Sequence, residues 1–420
     1  MAVAVVVLVQ VLSGPTSVVV SLFDPTTALT ILVLIGLLGL WRLISMGDAL
    51  TGAERDRSWR EPRALGAFAA LAFVVVAVHV AAANLAWSFY DAGSHIFVAQ
   101  EGPDLTVQPS ASSPTSGYVA SPAATPETRE SRINFLLTGI DSSETRNHSL
   151  TDTLLVVSVD PETGKVAMVS FPRDIARFPL SNGKTFVGKI NGLMTYAKNH
   201  KKEFPDGGLP TLVKELGFLI GVPIHYYAAV DLEGFSKMID RVGGVTINNP
   251  KAINDPVYGG WTDGRIGFRL SKGKHKLDGQ EALAYVRSRK GIGESDFSRA
   301  RRQQQLLIAL EEKLTDPAML PKLPDILNDA KDTLITNFPA DRLGDMLKIS
   351  ERVDEKNIIR KVLNAPYSNR PPLSTTGGLY ILKLDMKRLA KLSVDLFGED
   401  SRYYVPPVAP SGSPAPSTAP

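Results

Sequence analysis

There is no cysteine anywhere in this chain, which excludes disulfides, thiolate catalysis and Cys-ligated zinc. A dominant sign of charge is missing too. Lys and Arg total 46 against 43 Asp and Glu, a formal net of +3, so no general attraction to polyanions follows. Metal-ligand spacing is absent among His148, His200, His225 and His275, and none pairs with a serine as nucleophilic catalysis requires. Charge is also absent from three long stretches near the amino terminus. Residues 1–23 carry none, Pro25 to Trp41 is a second uncharged run, and Ala64 to Tyr90 is a third, 27 residues long. The third alone suffices for a hydrocarbon core of ~30 Å.

These absences predict three transmembrane helices. Gln10 and Ser13-Gly14-Pro15 weaken the first, but it lacks a basic n-region and precedes further apolar spans, which favours an anchor over a cleaved signal peptide. Arg55, Arg57, Arg60 and Arg63 lie between the second and third runs. The positive-inside rule therefore places residues 48–63 in the cytoplasm and everything after Tyr90 outside. The expected location is the cell membrane, multi-pass, with an extracytoplasmic globule. Residues 91–130 read as a spacer, because the Pro, Ser, Thr and Ala of 101–130 cannot bury enough surface to fold. Residues 405–420 read as a second such tail.

Between them the pattern is α/β. Ile133–Thr138, Thr153–Val159 and Val166–Phe171 read as strands, with a turn at Asp160–Gly164. Helical spacing follows at Asn191–His200 and Leu209–Ile220, then strand 225–230, helix 232–242 and strand 245–248. Helices are expected at Asp278–Arg287, Ser298–Leu314, 340–352 and 383–397, with a strand at 357–363. The economical packing is an α-β-α sandwich with a mixed central sheet. Its expected divisions are a domain over 131–310 and an extension packed on it over 311–404.

What is present in excess is arginine, in one place. Tyr285 to Gln304 holds Arg287, Arg289, Arg299, Arg301 and Arg302. A guanidinium stays charged and its planar fork grips two oxygens, so the cluster points to a phosphate-rich ligand. Nucleic acid is disfavoured by the topology. If extended, Arg287 and Arg289 share one side. Arg299 with Gln303, and Ser298 with Arg302, share faces of the following helix. They can thus converge at a helix start, or form a solvated basic face. Asp296 either caps that helix or orients an arginine. Asp141 ends one strand and Asp152 opens the next; they suit Mg²⁺ beside a pyrophosphate, or serve as turn residues. Arg173 and Asp174 close another strand, as a site pair or as a surface ion pair.

NFLLTGID, TDTLLVVSVDPETGKVAMVSFPRDI, KINGL, DLEGFSKMIDRVGGVTINNP, LDGQEALAYVRSRK and DFSRARRQQ, in this order and spacing, resemble the LytR-CpsA-Psr family. Those are membrane-anchored enzymes that attach glycopolymers to bacterial peptidoglycan. The resemblance is strong over 131–310 and continues faintly to about 398. It implies that Asp141 and Asp152 hold Mg²⁺. It also implies that Arg173, Arg287, Arg289 and Arg299, with Gln303, hold the pyrophosphate of a polyprenyl-linked glycopolymer, whose lipid tail lies in an apolar tunnel. Arg302 and Asp296 complete the expected substrate site. A peptidoglycan hydroxyl is the expected acceptor, with Asp152 or Asp174 taking its proton. Where the family writes Arg-Ser-Asp-Thr, this chain has Leu150-Thr151-Asp152-Thr153, leaving Arg146 to replace the lost guanidinium or a looser hold on phosphate. A pyrophosphatase using water, or a non-catalytic envelope regulator, are the alternatives.

Overall fold

The computed structural model describes residues 22, 24–52, 62–97, 132–141, 150–292, 295–314, 316–331 and 333–406. Two helices among these, not three, are long and apolar enough to cross a membrane. They are α1 (Pro25–Gly52) and α2 (Pro62–Ile96), matching the second and third uncharged runs. Residues 1–21 of the expected first span lie outside the described residues, as do 98–131, Arg146 and 407–420. Large apolar side chains such as Leu37, Trp41, Phe73 and Val80 stand exposed along both helices, as lipid-facing surfaces require. The helices pack on each other, and Gly39 makes room for the His79 ring, which a Cβ there would meet at 2.9 Å.

A six-stranded mixed sheet forms the centre of the globule. Its strands are β1 (Ile133–Asp141), β2 (Leu150–Val159), β3 (Val166–Ser170), β6 (Tyr226–Asp231), β11 (Leu334–Thr336) and β12 (Ile358–Val362). The order is β11-β6-β1-β2-β3-β12. β1, β2 and β3 are antiparallel neighbours, while β6 runs parallel to β1 and β12 parallel to β3. Both edge strands come from residues 311–404, so that stretch and 131–310 share one sheet. Between the sheet strands lie β4 (Ala176–Pro179) and β5 (Thr185–Lys189), a separate hairpin, with β7 (Val245–Asn249), β8 (Ile253–Asp255), β9 (Phe268–Leu270) and β10 (Gly273–Leu277) as smaller pairs.

Alternation along the strands builds the layers, because successive side chains face opposite ways. Leu136, Leu154, Val156 and Val169 point to the main core, shared with α3 (Leu193–Asn199), α4 (Gly208–Ile220) and α10 (Met386–Phe397). Leu155 and Met168, with Phe135, Leu137 and Val157, face the other way. They meet Leu307 and Ile308 of α7 (Asp296–Leu314) and Met346 and Ile349 of α9 (Leu343–Ser350). Each fully buried leucine or valine contributes roughly 1.5–3 kcal/mol. A third core joins α5 (Leu232–Arg241), α6 (Gly279–Arg287) and α7 to β7 and β10. Asp278 caps α6 in a reciprocal box with Glu281. The sandwich expected from the pattern is therefore present.

Its short elements were not foreseen. β8, β9 and β11 have three residues each, too few for alternation to register. Helix α8 (Leu323–Lys331) follows Pro317 and Pro321 and carries Pro324 in its first turn, and these prolines mask a helical period in the sequence. That helix has a clear task. Leu327 and Ala330 bury Phe89, Ala92 and Ile96 of α2, Lys331 pairs with Asp91, and Phe97 bridges to Thr336 of β11. The second apolar helix thus runs directly into the sheet edge.

Candidate functional site

The carboxyl end of β1, the start of β2 and the end of β3 share one rim of the sheet. Asp141 pairs with Leu150 in register, and the ladder shifts between Gly139 and Ile140 so that Gly139 faces Thr153 while Ile140 faces Thr151. Asp152 is the residue skipped by that bulge, a common device beside functional sites. The backbone thus puts Asp141 and Asp152 on adjoining strand ends at this rim.

Arg173 enters the same rim from the loop after β3. That loop is tied on all sides. Phe171 donates to the Leu154 carbonyl at 2.8 Å, Leu382 to the Asp174 carbonyl at 2.8 Å and Ile190 to the Ile175 carbonyl at 2.7 Å. Phe171 and Ile175 are both buried in the main core, which leaves Arg173 and Asp174 between two apolar anchors. Lys189, at the end of β5, donates to Asp174 Oδ1.

Arg299 and Asp296 come from the first turn of α7. Ser295 caps that helix: its Oγ accepts from Ser298 N at 3.2 Å, while Ser298 Oγ accepts from Ser295 N at 2.9 Å. Asp296 is therefore free of capping duty. Its Oδ1 lies 3.1 Å from Arg299 Nη2, 3.7 Å from Arg173 Nε and 3.8 Å from Arg289 Nη1. Of the two alternatives for Asp296, orienting arginines is the one observed, and it orients three. No hydrogen bond of good geometry reaches this oxygen, so charge holds the knot together. Four cations (Arg173, Arg289, Arg299, Lys189) face two carboxylates, leaving a positive surplus suited to a dianion.

Arg289 is held by its own backbone. Asp255, buried at the end of β8, accepts from Ser288 Oγ at 2.9 Å and from the amides of Arg289 and Lys290 at 3.0 Å each. No local pattern marks this support, because Asp255 sits in an ordinary Asp-Pro turn. Arg287 ends helix α6 instead of lying in an extended segment, so the alternation argument linking it to Arg289 does not apply. It stands near Tyr258, whose hydroxyl burial pushes up and the Arg287 charge partly restores. Arg302 is buried and donates to the Ser288 carbonyl, with its guanidinium 5.5 Å from the Tyr285 ring. Gln303 donates to the Val286 carbonyl at 3.4 Å. Both brace the loop carrying Arg289.

Titration at the knot is shifted. Burial pushes the Asp174 carboxyl above its ordinary range; the Lys189 ammonium opposes the rise and Asp296 adds to it. Tyr380 arrives from the carboxyl-terminal part. Burial raises its hydroxyl and the charges of Asp174 and Asp296 raise it further, while Arg370, stacked 4.7 Å from its ring, acts against them. Lys189, Tyr380 and Arg370 were not singled out in the sequence. Lys189 was legible only as part of KINGL, and Tyr380 lies more than 70 residues beyond the arginine cluster.

No cluster of three or more metal-ligating side chains occurs among the described residues. Asp141 and Asp152, the residues expected to hold Mg²⁺, have their backbones on adjoining strand ends, and Mg²⁺ takes one or two protein oxygens and fills the rest with phosphate and water.

An α/β globule follows two apolar helices and gathers guanidiniums at one rim of its sheet. The chain belongs to the LytR_cpsA_psr family, whose profile matches residues 103–397. Over 264 residues it is 29% identical to the polyisoprenyl-teichoic acid–peptidoglycan teichoic acid transferase TagU of Bacillus licheniformis, covering 63% of this chain and 76% of that protein. Over 216 residues it is 35% identical to the regulatory protein MsrR of Staphylococcus aureus, covering 51% of this chain and 59% of MsrR. This chain thus spans less than two thirds of MsrR's length. The crystal structure of Bacillus subtilis TagV aligns with a TM-score of 0.51 at 26% identity, covering 66% of this chain and all of that one.

Proposed function

We propose that this protein is a phosphotransferase that moves a glycopolymer from a polyprenyl-pyrophosphate carrier to a peptidoglycan hydroxyl on the outer face of the membrane. The observation that carries the reading is the knot of Arg173, Arg289 and Arg299 around Asp296. It lies on the rim that carries Asp141 and Asp152 and borders the main apolar core through Phe171, Ile175 and Phe297. A diphosphate headgroup with a long apolar tail needs those two environments side by side.

In the reaction the acceptor oxygen forms a bond to the sugar-linked phosphorus. The bridging P–O bond breaks, and polyprenyl phosphate leaves with its electron pair. Such transfer depends mainly on positioning and charge neutralisation. Arg173, Arg289 and Arg299 orient the diphosphate and hold the charge that builds on the leaving oxygen. Arg287 reaches the same headgroup from the end of α6. Asp174 takes the hydroxyl proton, with Lys189 fixing its orientation; Asp152 is the other carboxylate at the rim. Mg²⁺, held by Asp141 and Asp152, supplies further neutralisation of phosphate charge when bound. The donor is pre-activated as a pyrophosphate because no ATP is available outside the cell.

Purified full-length protein with a lipid-linked donor tests this. Transfer is expected only when peptidoglycan is added, and chelation of Mg²⁺ is expected to stop it. Equal release of polyprenyl phosphate without acceptor would make the protein a pyrophosphatase, and no release at all would leave a regulator. The Asp174 carboxyl adds a pH signature. As a base it acts ionised, so kcat/KM should rise with pH through a limb displaced above the ordinary carboxylate range. Asp174→Asn should abolish that limb together with most turnover; an unshifted limb in the variant removes Asp174 from the proton path.

A further inference from the structure

Of the five clustered arginines, Arg301 is the one given no part in the knot, its bracing or the headgroup contacts. It lines a separate groove of about 530 Å³ between α7 and β12. On a helix, two residues place Arg301 on nearly the opposite side from Arg299. Lys361 on β12 joins it across the groove, and neither is in an ion pair among the described residues. Arg360 also lines the groove, with its charge engaged by Glu355 at 2.9 Å. The lining contains no Asp or Glu, so the groove favours an anion.

Its other lining groups are of the kind that recognises sugars. Gln304 is only 1% exposed. Its Nε2 donates to Ser170 Oγ at 2.9 Å and to the Lys361 carbonyl at 3.1 Å, while its Oε1 has no partner. A buried amide oxygen without a partner, on a residue that lines the groove, is an unmet acceptor for a donor such as a hydroxyl. Asn364 adds a second amide. Tyr367, packed on the main core, adds an aromatic side to the lining.

The groove is also close to the knot. Gln304 lies five residues from Arg299 on the same helix, about 7.5 Å along its axis. Gln304 also holds Ser170, the last residue of β3 before the loop that carries Arg173.

We propose that this groove is a binding subsite for an acidic oligosaccharide, gripped through its carboxylate or phosphate by Arg301 and Lys361 and through a hydroxyl by Gln304. The assignment rests on the transferase reading for its role, since both acceptor and donor of such a reaction are long saccharides. Its chemistry stands on the groove alone.

The test is equilibrium binding to the full-length protein in detergent micelles. The probes are a peptide-free N-acetylglucosamine–N-acetylmuramic acid tetrasaccharide, a glycerol-phosphate oligomer and neutral chitotetraose. At least one acidic probe should bind about tenfold or more tightly than chitotetraose, and weaken by a similar factor in Arg301→Ala with Lys361→Ala. The muramic probe binding better assigns the groove to the acceptor, and the phosphate probe binding better assigns it to the donor. Arg289→Ala should leave this affinity unchanged. Gln304→Glu should weaken it with the circular dichroism spectrum retained. Equal affinity for chitotetraose, no loss in the double variant, or loss in Arg289→Ala would each overturn the subsite. Groove-dependent binding without any transfer would sink the transferase reading and leave the subsite standing.

Discussion

Arg289→Ala is expected to slow glycopolymer transfer by about 10³, with melting temperature and circular dichroism unchanged. The side chain is 37% exposed. Its position is set by backbone bonds to Asp255, which the substitution leaves intact. What disappears is one fork of positive charge aimed at the diphosphate, and that is worth most when charge migrates to the leaving oxygen. Arg289→Lys should recover only part of the rate, because an ammonium is a point charge without the planar fork. Arg302→Ala provides the contrast. That guanidinium is buried against Ser288 and Tyr285, so its removal should lower the melting temperature along with activity. Kinetics beside thermal denaturation of the three variants separate these outcomes. Normal turnover by Arg289→Ala would dismantle the clamp.

The long elements of this fold were legible because their periods are strong. Leu136, Leu154, Val156 and Val169 alternate cleanly with the residues of the opposite face, and helices α4 and α10 have unbroken apolar stripes. Chain separation hid the rest. β11 and β12 close the two edges of a sheet whose other strands lie more than 100 residues earlier. No local pattern announces such pairing. The site divides similarly. Side-chain chemistry pointed to Arg289 and Arg299, since guanidiniums in such density need a reason, with Asp296 as a cap or an orienting charge; Arg173 entered the expected site through the family resemblance. That chemistry did not separate Arg289 and Arg299 from Arg302 and Gln303, because a helical wheel fixes relative faces and leaves open which face meets the loop. Asp255, Lys189 and Tyr380 work through tertiary contacts, and single aspartates, lysines and tyrosines are too common to stand out.

The second large effect concerns Asp296. Three guanidiniums within 3.8 Å of one carboxylate oxygen repel each other, and in the absence of substrate that carboxylate offsets the repulsion. Asp296→Asn should therefore destabilise the ligand-free protein by roughly 3 kcal/mol, the low end for breaking a buried pair because the knot is partly solvated. The carboxylate also competes with any phosphate for the same N–H groups. Its removal should tighten binding of inorganic pyrophosphate about tenfold, in line with the Coulomb energy of one like charge nearby at intermediate dielectric. Pyrophosphate should then restore much of the lost melting temperature, since a ligand that binds only the folded state stabilises it by mass action. Turnover should still fall, because tight ground-state binding without fixed geometry does not lower the barrier. Calorimetry of both proteins with and without pyrophosphate reads all of this. A helix cap predicts something different: a stability loss that the anion does not repair and an affinity that does not change. With Ser295 already capping α7, that second pattern would mean the arginines hold their positions without Asp296, and its role as their organising charge would have to be given up.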